Sequence, residues 1–350
     1  MNRFDTKAAL APDGMLLSSV QPEVVSWIWE GRIPLGMISI VDGDPGLGKS
    51  TMLADLSARV SNGGLTPTGE SIEPGGVILI TTEDSPSVTI RPRMEAAGAD
   101  LNRIRVIPEI ELSQTRSRPF CLPDDLNLLK RNIRLHKANL VIIDPIMAHL
   151  GSDVNSFRDQ DVRAALAPLA TLADETGVAV ILVRHLNKTS GTAAIYRGGG
   201  SIGIIGLARV GMLVGVDPND GAQRLLAITK CNVAKTADTI SFRIGNDTAA
   251  GGASCVEWGG VVNISANQIV NAGPSASSGE QDFVRDVLLD ILEDGPQPMK
   301  DVEALLRAEG ISTKQARRVL RQIGGTKKVG VPGKRQYWAW YREDRPSHRQ

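Results

Sequence analysis

Residues 43–50 read GDPGLGKS, the complete G-x-x-x-x-G-K-[ST] spacing, with the apolar run MISIVD directly before them. Across Gly43, Asp44, Pro45, Gly46, Leu47, Gly48, Lys49, Ser50 and Thr51 this pattern predicts a nucleotide cradle. The glycines let the backbone wrap around phosphates, Lys49 brings positive charge to the β and γ oxygens, and Ser50 offers a hydroxyl to magnesium at a helix N-terminus. A magnesium-nucleotide site also needs a carboxylate at the end of a neighbouring strand, and LVIIDP supplies Asp144. Hydrolysis further needs a group to orient or deprotonate water. Pro145 rather than an acid follows Asp144, so that group comes from elsewhere, and VILITTED offers Glu83 or Asp84. Glu83 is the natural source; either acid is alternatively a helix cap ahead of Pro86. At the end of another apolar run, ILVRHLNK places Arg184, His185, Asn187 and Lys188 together, with His185 suited to reporting the γ-phosphate. The glycine-rich segment TSGTAAIYRGGGSIG follows, carrying Tyr196 and Arg197, and suits contact with a polymer or a neighbouring subunit; the plain alternative is a surface loop.

Positioning these groups requires strand, loop and helix in that order. STMLADLSARVSNGG places Met52, Leu53, Leu56 and Val60 near helical spacing and ends in a glycine pair. The runs GVILITTED, ANLVIIDP and GVAVILVRH alternate with expected helices at 86–98, 123–136 and 159–176, which predicts an α/β fold with a mostly parallel sheet covered on both faces. Pro168 should kink or split the last of these helices. Beyond residue 208, apolar stretches around an Asp-Pro-Asn-Asp-Gly turn, and then TISFRI, read as antiparallel strands extending the sheet. Trp27 and Trp29 read as packing.

Composition narrows the setting. The 350 residues carry 39 basic and 39 acidic side chains, so no global field attracts nucleic acid and any such attraction must be local. Cys121, Cys231 and Cys255 form no C-x-x-C pair, which argues against a zinc site and a disulfide framework and fits a reducing cytoplasm. No uninterrupted apolar run reaches the roughly 18 residues of a membrane span, and a soluble chain without a membrane partner is expected. The expected divisions are an N-terminal arm at 1–20, the nucleotide domain at 21–270, a small-residue linker at 271–280, a second domain at 281–341 and a tail at 342–350.

In that second domain three helical segments precede KKVGVPGKRQYWAWY, which reads as a hairpin; three helices and a wing give a winged-helix reading. From Ile311 to Tyr341 eight residues are basic and none is acidic. On a recognition helix Lys314, Gln315, Arg317, Arg318 and Arg321 would meet DNA, with Lys334 and Arg335 at the wing tip reaching the adjacent backbone. Trp338 and Trp340 read as packing. The competing reading is a protein-docking module.

With a phosphate loop, a glutamate after the second strand, an aspartate after LVII and a histidine after ILVR, residues 20 to 265 resemble the RecA-type ATPases, most closely the plasmid RepA-type and DnaB-like hexameric helicase branch. The resemblance implies ATP and Mg2+ as ligands. It assigns Lys49 and Ser50 to phosphate and magnesium, Asp144 to magnesium, Glu83 to water activation and His185 to γ-phosphate sensing. It further implies a homo-oligomer, typically a hexamer, in which Arg197 stands at the arginine-finger position and Lys230 matches a late lysine reaching the neighbour's site. Asn232 stands where a second arginine is frequent. Single-stranded DNA would pass the core and duplex would meet the winged helix, with a replication initiator or primase as further partner. The leading function is an oligomeric DNA-dependent ATPase, a helicase or translocase of a plasmid, phage or integrated element. The alternatives are an ATP-switched regulator or recombination mediator, and a signalling ATPase acting on proteins.

Overall fold

The computed structural model describes residues 16–113, 116–156, 158–186, 193–247, 251–271, 278–292, 295–308, 311–329 and 337–342. The chain divides into two compact units, Met1–Gly215 with Gln223–Asn271, and Val216–Ala222 with Ala272–Gln350.

The larger unit opens with a hairpin of β1 (Trp27–Trp29) and β2 (Ile33–Pro34). Next come β3 (Ile38–Asp42), α1 (Lys49–Asn62) and β4 (Gly76–Thr81), then a π-turn at Pro86–Ile90 that runs into α2 (Arg91–Ala96). They are followed by β5 (Ile104–Ile107), a small hairpin of β6 (Ile110–Ser113) and β7 (Arg116–Arg118), and α3 (Leu126–Leu135). The alternation continues through β8 (Ala138–Asp144), α4 (Asp159–Thr176), β9 (Ala179–Arg184) and α5 (Ile202–Leu207). It closes with β10 (Val210–Val216), β11 (Arg224–Cys231), β12 (Thr239–Asp247), β13 (Ala253–Val262) and α6 (Ala266–Asn271).

Nine strands form one sheet in the order β13-β12-β11-β10-β3-β9-β8-β4-β5. From β10 to β5 every neighbouring pair is parallel, while β11, β12 and β13 pair antiparallel. The continuous apolar runs follow from this burial: successive side chains of one strand point to opposite faces, and both faces are covered. Thus Val41, Leu79, Ile142 and Ile181 enter a core with Leu53 and Leu56 of α1 and Met94 of α2. Their chain neighbours Ile40, Ile80, Ile143 and Leu182 enter the opposite core with Leu129 of α3 and Leu166 and Leu169 of α4. The sheet is therefore the wall between two cores, and its carboxyl edge is left for loops.

Two expectations about elements change. Pro168 lies inside α4, which runs unbroken from Asp159 to Thr176, so the helix is not split. Pro168 sits on the exposed face while Leu166 and Leu169 bury, so the carbonyl it leaves unbonded lies on the solvent side. The short edge strand β5 and the β6–β7 hairpin were not anticipated; Arg105 in β5 is exposed, as an edge allows.

The smaller unit contains α7 (Ser278–Ile291), β14 (Gln297–Pro298), α8 (Met299–Ala308), α9 (Thr313–Ile323), β15 (Gly324–Val329) and β16 (Tyr337–Arg342). Its sheet has the order β14-β16-β15, antiparallel throughout. Helix α7 begins at Ser278, inside the stretch expected to be linker. Leu288, Leu292, Val302, Leu306, Val319 and Leu320 recur at helical spacing and close around Trp340. Of the two tryptophans expected to pack, Trp340 does so completely and Trp338 is half exposed.

Candidate nucleotide site

β3 lies between β10 and β9, and the loop that leaves its carboxyl end carries residues 43–48. This is the crevice at which open α/β sheets receive ligands. Two glycines show why the loop tolerates little else. A Cβ on Gly43 would lie 2.7 Å from the Val214 carbonyl oxygen, and Gly48 has φ +83° with Ile244 Cδ1 2.6 Å from where its Cβ would be. Gly48 is also the residue from which α1 starts, so the helix N-terminus opens onto the loop.

Lys49 is buried, and its Nζ donates to the carbonyls of Gly43 at 2.8 Å and Asp44 at 2.9 Å while standing 3.4 Å from His185 Nδ1. Burial lowers the lysine's pKa; Asp144, Asp44, Asp42 and Glu83 oppose the shift by attraction. Ser50 Oγ donates to Asp144 Oδ2 at 2.7 Å. Burial raises the Asp144 pKa above the usual carboxylate value, opposed by the Ser50 hydrogen bond and by Lys49 and reinforced by Glu83 and Asp84. A hydroxyl and a carboxylate held together at a helix N-terminus, with the carboxylate poorly solvated, are a donor set that fits one hard cation, with nucleotide oxygens and water completing the shell. Among the described residues no three His, Cys, Asp or Glu side chains cluster as a self-sufficient metal cage.

A cleft of about 540 Å3 joins these groups to Glu83, Asp84 and His185. β4 and β8 run in register with Thr81 opposite Asp144, which brings the acids after β4 to the magnesium side. Glu83 is exposed, whereas Asp84 accepts from Arg93 Nη1 at 2.9 Å. Neither acid caps the turn at Pro86; Ser85 Oγ accepts from Val88 N instead. Behind the loop, Asp42 and Arg184 form a two-point ion pair at 2.8 and 2.9 Å with both side chains 1% exposed. This pair fastens the ends of β3 and β9, and so fixes Lys49 and His185 relative to each other. Among the cleft-wall residues that escaped sequence reasoning are Arg93, Arg224, Ile244 and Ser254. They come from α2, β11, β12 and β13, and no local pattern marks which strand residues face the crevice.

Other expected site residues lie elsewhere. Arg197 is partly buried, and its Nη1 is 3.4 Å from the Val270 carbonyl of its own chain. Lys230 Nζ donates to Ile205 O at 2.7 Å, Gly206 O at 3.3 Å and Ala208 O at 2.7 Å. It thus caps the C-terminus of α5, which has no other cation in its last turn. Arg317 pairs with Glu303 at 3.2 Å, and Arg321 is exposed. Lys314 and Arg318 lie on α9, with side chains outside the described set. Asn187, Lys188, Lys334 and Arg335 lie outside the described residues.

A phosphate-binding loop at the switch point of a parallel sheet, with a magnesium-type acid beside it, defines a P-loop nucleotide-binding protein of α/β class. The AAA domain family profile matches residues 6–191, more than half of the chain, and the chain belongs to that family. The DNA repair protein RadA of Bacillus subtilis (strain 168) is 25% identical over 191 residues, 52% of this chain and 36% of that protein. RadA of Listeria monocytogenes is 29% identical over 174 residues, 49% of this chain and 32% of that protein. The chain thus spans about a third of the length of these relatives. A KaiC-like protein from Pyrococcus horikoshii OT3 aligns with TM-score 0.45 and 19% identity over 67% of this chain and 99% of that one. The family and the RadA relatives support a RecA-like P-loop superfamily without singling out the plasmid RepA-type and DnaB-like branch.

Proposed function

We propose that the protein is an Mg2+-dependent ATPase that acts on DNA as an oligomer. One observation carries the reading. Lys49 Nζ stands 3.4 Å from His185 Nδ1, and the His185 carbonyl accepts from Gly199 N at 2.7 Å. A group reading phosphate is thereby joined to the loop that presents Tyr196, 53% exposed, and Arg197. Magnesium would be held through Ser50 and Asp144 and would supply shielding of the phosphate charge. Lys49 draws the phosphates into the loop. Glu83 orients the attacking water, being the acid of the pair that is not committed to an arginine. A change at His185 then moves the 193–200 loop, the segment suited to single-stranded DNA.

The finer readings follow the same logic. The order α7, β14, α8, α9, β15, β16 is that of a winged helix, with Arg321 exposed on the third helix and Lys327 exposed on the following strand. These features favour duplex DNA over a protein partner, and the names of the RadA relatives favour a DNA substrate. A helicase or translocase of a plasmid, phage or integrated element is the leading role, with an ATP-switched DNA-bound regulator or recombination mediator as the second reading. A hexamer, trans completion by Arg197, an initiator or primase partner and a cytoplasmic setting belong to the same proposal. No described helix is long and apolar enough to cross a membrane. The test is phosphate release from Mg-ATP, with strand displacement on a forked duplex measured alongside. Turnover with displacement marks a helicase, turnover without it a switch, and no turnover removes the ATPase reading.

A further inference from the structure

Arg93 lines the nucleotide cleft, yet the phosphate-loop assignment gives it no task. It sits on α2 beside Met94, and Met94 and Ile90 are buried in the core, so its backbone has little freedom. The turn before it is equally fixed: Ser85 Oγ accepts from Val88 N, and the Ser85 carbonyl accepts from both Thr89 N and Ile90 N. From this base the Arg93 guanidinium reaches back to Asp84 at 2.9 Å, with side chains 26% and 29% exposed.

We infer that Arg93 is a positioning residue: by holding Asp84 it leaves Glu83 as the one acid of the pair available to water at the γ-phosphate. The inference rests on the ATPase reading of this cleft. Asp84 and Glu83 are adjacent in one irregular turn, and both face a crevice that already contains Asp144. An unpaired Asp84 would add negative charge beside a polyphosphate and offer water a second, wrongly placed acceptor. Pairing with Arg93 removes both effects and leaves the water to Glu83. Misplacement of such a group by about 1 Å can cost roughly a hundredfold in rate.

The experiment measures Mg-ATP turnover against ATP concentration for the full-length chain and for Arg93→Ala, Arg93→Lys, Asp84→Asn and the double variant Arg93→Ala/Asp84→Asn. Thermal melting and ADP binding check that each variant is folded. Arg93→Ala should lower kcat by roughly tenfold to a hundredfold with a smaller change in KM. Arg93→Lys should retain most activity because the contact is to a single oxygen, and Asp84→Asn should be less impaired than Arg93→Ala. The distinguishing result is suppression: the double variant should recover toward Asp84→Asn, because the stray charge is gone. Unchanged turnover in Arg93→Ala, a rise in KM alone, or a double variant no better than Arg93→Ala would overturn the inference, as would an Arg93→Ala chain that fails to fold while Arg93→Lys shows no rescue. A wild-type chain without turnover defeats the ATPase reading and this inference with it. Slow Glu83→Gln combined with unaffected Arg93→Ala defeats this inference alone.

Discussion

Asp144 carries two opposed demands. Burial raises its pKa, so ionising Asp144 is harder in the folded protein than in the unfolded chain and costs stability. A carboxyl whose folded pKa is raised contributes stability below its unfolded value of about 3.9 and loses it as pH rises through the folded value. At pH 7 without nucleotide, Asp144→Asn should therefore melt at the same or a higher temperature than wild type, with the difference shrinking toward pH 4, while its Mg-ATP turnover is abolished. A clear fall in melting temperature at pH 7 would show that the ionised carboxylate is a net stabiliser. Lys49→Ala should lose turnover through weakened phosphate binding, read as a loss of nucleotide affinity. Glu83→Gln should bind ATP and hydrolyse it slowly, by ~10²–10⁴-fold. Slow Asp84→Asn with active Glu83→Gln would move the water-orienting role by one residue.

At the scale of elements, the joint between β3 and β9 carries the most weight. Asp42 and Arg184 are both 1% exposed, and burial raises the Asp42 pKa against the opposing pull of Arg184. Removing one partner strands a buried charge, so Arg184→Leu should cost roughly 3–5 kcal/mol in denaturant unfolding. A loss below about 1 kcal/mol would mean that water reaches Asp42 readily. Much of this level was legible in the chain. GDPGLGKS marked a loop between strand and helix, and LVIIDP and ILVRH placed an aspartate and a histidine at strand ends, because a continuous apolar run stops where polar residues resume. Other features depend on contacts between distant segments. Ile244 reaches the phosphate loop because β12 folds back across the sheet, and Arg93 meets Asp84 because a capped turn reverses the chain. Lys230 matches a late lysine in sequence, but its contacts with the carbonyls at the end of α5 join segments more than twenty residues apart and leave no local signal. Whether Pro168 splits its helix is not legible in the chain, because position on the helix face, which decides whether its lost hydrogen bond matters, depends on which side packs.

For the molecule as a whole, the nucleotide unit and the small unit, whose 311–341 segment is basic, divide the proposed work. If Arg197 completes a neighbour's site, mixing Arg197→Ala with Lys49→Ala should restore some turnover that neither has alone; no recovery in verified mixed oligomers would leave Arg197 with its contact to Val270. The small unit should bind duplex with strong salt dependence. Each phosphate contact removed should flatten the slope of log affinity against log salt by ~0.9, so Arg317→Ala or Arg321→Ala in the full chain should weaken binding and lower that slope. Affinity indifferent to salt and to both substitutions would instead favour protein docking. The central claim joins ATP hydrolysis to DNA through His185 and the 193–200 loop, and its most direct test is steady-state Mg-ATP turnover with and without single-stranded DNA in wild type and His185→Ala. Turnover should rise several-fold with DNA in wild type and lose that response in His185→Ala while basal hydrolysis persists. Equal turnover with and without DNA in wild type, or stimulation unaltered in His185→Ala, would contradict it.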